Sequence, residues 1–251
     1  MKPFLLILTI IILTSSCKSY FEKSIDTHRA VNNYDYQSAL NATANNKFLK
    51  KKRNSLLYHL ELGRLFHLKG QYEESNKHLN FADDLMDYQN SLADFAASVL
   101  INSSAKKYRA EDFEKILIHY YKALNYSYLN QTEDALVEVR RINLKEQELS
   151  ENGKRKYNKD AFGHLLMGQI YERAHEYNNA FIAYRNAYEA YTDDYVKLGA
   201  HAPSQLKLDL LKTAYLSGLY SEVSRYEQEF KIKYNPEKNL HSPLRVLPAR
   251  C

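Results

Sequence analysis

Three small residues set in one repeated local context constrain this 251-residue chain more than any other feature. Gly63, Ala123 and Gly168 are each followed three residues later by an aromatic: Phe66, Tyr126 and Tyr171. Twelve residues on, each has a second small residue (Ser75, Ala135, Ala180), and sixteen on, a bulky one (Leu79, Val139, Tyr184). A histidine stands four residues before each: His59, His119 and His164. Steps of three and four put residues on one face of a helix. The register therefore predicts pairs of antiparallel helices that approach closely where small residue meets small residue, with large neighbours filling the space around them. Seven residues after each small position come Gly70, Asn130 and His175, and Gly and Asn suit the end of a helix. With only 7 Gly and 5 Pro, an all-β fold rich in turns is disfavoured.

From Lys207 a fourth unit follows with Leu211, Ala214, Gly218, Tyr220 and Val223 at the same offsets, and Tyr36 and Ala39 mark half a unit near the start. Degraded end units are expected where terminal repeats cap a stack. The spacing is uneven: 60 residues separate Gly63 from Ala123 and 45 separate Ala123 from Gly168. Insertions account for the excess. Ser91 to Ile101 reads as an extra helix with a turn at Asn102-Ser103-Ser104, and Leu144 to Asp160 as a helix extension plus a loop around Asn152-Gly153. Pro236, Pro243 and Pro248 mark a non-helical tail over 235–251.

The amino terminus has the form of an export signal: Met1-Lys2, an apolar run from Phe4 to Leu13, then Thr14-Ser15-Ser16 before Cys17. That run is too short to span a bilayer, which takes about 20 residues. Leu13-Thr14-Ser15-Ser16-Cys17 resembles the lipobox of bacterial lipoproteins, although the usual Leu three residues before the Cys is here Thr14. The resemblance implies a signal peptide over 1–16, acylation (palmitate) of Cys17, and a lipidated segment over 17–33. Two or three acyl chains at about 0.8 kcal/mol per buried CH₂ would hold such a protein without a spanning helix. Lys18, where related signals for inner-membrane retention carry Asp, implies an outer-membrane lipoprotein facing the periplasm. With Cys17 lipidated, Cys251 has no partner, and no intramolecular disulfide is expected.

The internal pattern resembles that of tetratricopeptide repeats, W-x₂-L-G-x₂-Y…A-x₃-F, with His in the Trp slot each time. The fold class implied is all-α, a tetratricopeptide-like helical-hairpin solenoid with insertions over 34–234. The blocks YRAEDFEKILIHYYKALNY, ALVEVRRIN, LELGRLFHLKGQYEESN and GHLLMGQIYE are further similar to an uncharacterised family of bacterial tetratricopeptide-like lipoproteins. Members of that family continue into a strand-containing region, so a chain stopping at Leu244 to Cys251 reads as a shortened or frameshifted version. In tetratricopeptide proteins set positions of each first helix line a concave groove. Carried over, these are Leu60, Arg64 and His67; Tyr120, Leu124, Ser127 and Tyr128; and Leu165, Gln169, Glu172 and Arg173. The Lys/Asn clamp that some members use for a peptide carboxylate is absent.

No enzyme signature is present: no GxSxG, Walker loop, GxGxxG or HExxH. His59, His119 and His164 occupy equivalent slots of separate repeats, so stacking keeps them too far apart for one ion with Zn–N bonds of about 2.0–2.1 Å; a packing role is expected. Glu111, Asp112 and Glu114 read as a helix start, where acids complement the dipole. Arg140 and Arg141 cannot share a face, so at least one of them is expected inward or into a loop pocket, with ion pairing to Glu138 or nearby acids as the plain alternative. Lys50-Lys51-Lys52-Arg53 is short for a nucleic-acid patch, and none is expected as partner. The chain thus reads as a non-catalytic scaffold without cofactor or metal, anchored in the cell envelope and holding an envelope or periplasmic protein or peptide. A carbohydrate- or small-ligand-binding lipoprotein of an uptake system is the alternative, weakened by the absence of Trp.

Overall fold

In the computed structural model, residues 20–96, 107–151 and 160–239 are described, and among them every regular element is helical. The export signal, Cys17, the turn at Asn102-Ser103-Ser104, the Asn152-Gly153 loop and the last prolines lie outside the described residues. The chain divides into two compact units, Met1–Arg109 and Ala110–Cys251.

The first unit contains α1 (Tyr20–Lys23), α2 (Ile25–Asn32), α3 (Tyr36–Asn45), a 3₁₀ turn (Lys52–Asn54), α4 (Ser55–Leu68) and α5 (Tyr72–Ala96). Its helices pack as sequence neighbours: α2 on α3, α3 on α4, α4 on α5. Ala39, Leu40, Leu62 and Leu65 form a core there. The second unit holds α6 (Asp112–Tyr128), α7 (Thr132–Glu151), α8 (Ala161–Arg173), α9 (Tyr177–Asp193), a 3₁₀ turn (Tyr195–Leu198), α10 (Ser204–Leu216), α11 (Tyr220–Phe230) and α12 (Pro236–Asn239). Its packing again runs between successive helices, around a core that includes Leu136, Ile142, Leu166, Phe181, Tyr184, Leu210 and Tyr226.

Five hairpins are closed by one device. Tyr34, Gly70, Asn130, His175 and Gly218 all have left-handed backbones, with φ between 58° and 79°. In each case the next residue's N–H reaches back to the carbonyl of the third residue from the helix end: Asp35 to Ala30, Gln71 to Phe66, Gln131 to Tyr126, Glu176 to Tyr171, Leu219 to Ala214. This is the Schellman arrangement, which satisfies carbonyls that a helix end leaves unpaired. The second helix then begins at once. The turn places Thr27 in the slot of Gly63, so the first hairpin is complete and starts upstream of Tyr34; its Thr27 Oγ1 and Thr43 Oγ1 lie 3.1 Å apart at the expected sixteen-residue offset.

The close crossings follow the register. A Cβ on Gly63 would lie 2.5 Å from Leu79 Cδ2, and one on Gly168 would run into the ring of Tyr184. Ser75 Oγ donates to Gly63 O at 2.7 Å, joining the two small positions of that crossing. Ala123, Ala135 and Val139 are fully buried at the equivalent crossing.

Two expectations need correction. Ser91 to Ala96 is no separate helix but the continuation of α5, because nothing in Tyr88-Gln89-Asn90 breaks the helical run. The segment after Asn235 is not wholly irregular: Pro236 opens the short α12, a position where its missing N–H costs nothing. The extension of α7 to Glu151 is as expected. No helix among the described residues is long and apolar enough to cross a membrane.

Candidate functional site

The Glu111–Asn143 stretch forms the α6/α7 hairpin, and its polar residues sort by helix face. Glu111 precedes α6, and its N–H donates to Glu114 Oε2 at 2.9 Å, so these acids finish the helix start. On the buried face, His119 Nδ1 lies 2.7 Å from Glu138 Oε2, and Lys122 Nζ lies 2.9 Å from Glu138 Oε1. All three side chains are almost inaccessible. Burial alone would push the Glu138 carboxyl up, but His119 and Lys122 hold it below its ordinary value. Glu138 therefore pairs across the hairpin, with His119 and Lys122 of α6. Arg140 and Arg141 are both exposed, which corrects the expectation of an inward arginine; Arg140 Nη2 meets Glu176 Oε1 at 3.3 Å, the expected alternative of an ion pair with a nearby acid.

A second group forms where α6, α7 and the start of α8 meet. Tyr120 Oη donates to Glu146 Oε1 at 3.3 Å, and His164 Nε2 lies 3.6 Å from Glu146 Oε2. Asp160 caps α8 by accepting from Phe162 N, and the same oxygen accepts from Tyr195 Oη at 3.1 Å. Gly163 makes the room: a Cβ there would occupy the place of the Tyr120 hydroxyl. Burial first, and then repulsion from Asp160, push the Glu146 carboxyl up to about 7. Burial and the two carboxylates also push the Tyr120 phenol up. Glu146 thus lies beside an imidazole and a phenol, with its carboxyl held toward the protonated form.

A third group surrounds Glu172 on α8. Tyr184 Oη donates to Glu172 Oε2 at 2.8 Å and Lys212 Nζ lies 2.9 Å from Oε1. Asp209, one turn before Lys212, is pushed up to about 6, mainly by burial.

The carried-over groove positions divide accordingly. Tyr120, Ser127, Leu165 and Glu172 are buried. Ser127 Oγ turns back to Ala123 O at 2.8 Å, a bond within its own helix. Leu124, Tyr128, Gln169 and Arg173 are half-buried in the second unit; Leu60, Arg64 and His67 are half-buried in the first. Arg173 donates to Ser127 O at 3.3 Å and to Asn130 Oδ1 at 2.6 Å, tying the end of α8 to the α6/α7 turn. Arg64 pairs with Glu61 at 2.8 Å. Each register histidine pairs inside its own unit: His59 with His78, His119 with Glu138, His164 with Glu146. Among the described residues no group of three or more His, Cys, Asp or Glu could hold a metal ion.

Glu138, Glu146, Asp160 and Lys212 were not singled out by the sequence pattern as partners of these slots. The signal for Glu138 was present: Ala135, Glu138, Val139 and Ile142 recur at helical spacing on one face, and that face is buried. No family model matches the chain, and no curated protein matches it significantly.

Proposed function

We propose that the chain is a lipid-anchored interaction scaffold of the bacterial cell envelope, a tetratricopeptide-like array acylated at Cys17 and facing the periplasm. The observation that carries this reading is the single register shared by five hairpins, each closed by the same left-handed turn. Repeated hairpins of this kind present a row of first-helix positions to a partner. In the second unit the accessible part of that row is Leu124, Tyr128, Gln169 and Arg173. Tyr120, Ser127 and Glu172 then act from beneath, fixing the helices that display it. Half-buried Tyr and Arg suit a docking surface, because each offers apolar area with a polar tip. The partner class is an envelope protein or peptide.

A photoreactive amino acid placed at Tyr128 or at Gln169 tests the docking row in intact cells. Crosslinking of one discrete partner from both positions, and not from Ile182 on α9, is the expected result. Equal yields from all three positions would overturn it. Acyl labelling tests the anchor separately: Cys17→Ser should abolish it, and retained labelling refutes the lipobox.

A further inference from the structure

We propose that His59 and His78 form a two-nitrogen site for a borderline divalent transition metal, Cu(II) above all. Their Nδ1 atoms lie 2.9 Å apart across the α4/α5 hairpin. Two ligands bound cis at 90°, with metal–nitrogen bonds of about 2.0–2.1 Å, are separated by about 2.9 Å, whereas tetrahedral ligands need about 3.3 Å. The spacing therefore fits a square-planar or tetragonal ion, the preference of Cu(II) with nitrogen ligands.

The pair is held by backbone that has little freedom. His59 and His78 flank the Gly63–Leu79 crossing, the tightest point of this hairpin. Phe66 lies flat against His78, with ring centres 5.3 Å apart and planes at 6°. Phe81 sits against His59 at 4.3 Å and Tyr58 meets it edge-on at 5.3 Å. Both histidines are half-buried, and an ion held between them would complete its coordination with water.

Ligation uses imidazole lone pairs, and the 2.9 Å contact joins an Nδ1–H of one ring to the bare Nδ1 of the other. On binding, that proton moves to Nε2 of the same ring, two Nδ1 lone pairs form two metal–nitrogen bonds, and no net proton is released. The equivalent slots elsewhere do not offer this: His119 faces Glu138, which Lys122 already neutralises, and His164 faces Ala183 in its own hairpin.

The test is Cu(II) titration of the full chain at pH 7.5 in a Cys17→Ser, Cys251→Ser background, against a competing chelator and with paramagnetic resonance detection. One equivalent should bind with splitting from two nitrogens. His59→Asn or His78→Asn should each weaken binding at least tenfold and alter the splitting, while His201→Asn should change neither. Unchanged affinity and spectrum in both variants would overturn the site. Should either variant lose helicity, carbethoxylation of the unaltered histidines decides. Cu(II) should then shield His59 and His78 and leave His201 reactive; equal labelling with and without Cu(II) sinks the proposal.

Discussion

His119 and Glu138 meet at 2.7 Å from positions nineteen residues apart, and His59 meets His78 at 2.9 Å across the same separation. One geometric slot thus carries a buried acid–base pair in one hairpin and two imidazoles in another. In the α8/α9 hairpin the slot opposite His164 is Ala183, and His164 turns instead toward Glu146 of the preceding helix. Helix crossing fixes where the slot lies, and side-chain identity decides what it does.

Removing the charge at Glu138 is expected to be severe. Glu138→Gln leaves the Lys122 ammonium buried without a counter-charge, and breaking a buried pair from one side costs about 3–5 kcal/mol. Arg140→Ala, which loses only an exposed pair, should cost under about 1 kcal/mol. Urea unfolding of the two variants checks the contrast, and equal midpoints would contradict it.

Gly168→Ala should destabilise by about 1–3 kcal/mol, since the new methyl must displace the fully buried Tyr184 ring in a packed crossing. Tyr184→Ala in the same background should recover part of that loss relative to Tyr184→Ala alone, because the obstructing ring is gone. Thermal or urea melts of the double-mutant cycle measure the coupling.

Tyr34→Gly should stabilise the first hairpin by about 1 kcal/mol. Tyr34 holds φ at 58° while its side chain is largely exposed, so the strain of a bulky left-handed residue is removed with little packing lost. A lowered urea midpoint in that variant would show that the ring contributes more than the strain.

The pH dependence around Glu146 has a definite sign. Its folded-state value of about 7 lies above the ordinary 4.5, so the folded protein holds a proton that the unfolded chain has released between these limits. Stability from this group is full below pH 4.5 and is lost as pH rises to about 7, by about 3 kcal/mol. Glu146→Gln should flatten that part of the profile. A profile of the same steepness in the variant would show that another group dominates.

The hairpins were legible in the sequence because close helix crossings tolerate few residue types. Gly63, Ala123 and Gly168, with their partners twelve and sixteen residues on, report a steric constraint directly. The turn at Asn130 was legible from both register and residue type, the one at His175 from register alone, and the one at Tyr34 from neither, since His and Tyr do not advertise a left-handed backbone. The polar pairs were less readable. Periodicity marks His119 as inward-facing, but a buried imidazole accepts many partners, and Glu138 looked closer in sequence to Arg140 and Arg141 than to His119. The Glu146–Asp160–Tyr195 group was unreadable from spacing, because it is assembled from a helix end, a cap and a 3₁₀ turn that share no period. Of the groove positions, Tyr120, Ser127 and Glu172 proved buried because their polar atoms find partners inside the second unit.

The two-residue turns also bear on how the chain finds its fold. Each hairpin's decisive contacts join residues only twelve to nineteen positions apart, as in Ser75 with Gly63 and His119 with Glu138. Loops that short close quickly and at small entropic cost, and proteins dominated by such local contacts fold fast. A hairpin can therefore assemble as soon as its own residues have emerged during synthesis, without waiting for the next. Folding of this chain becomes a sequence of small local events, ordered from the amino terminus onward.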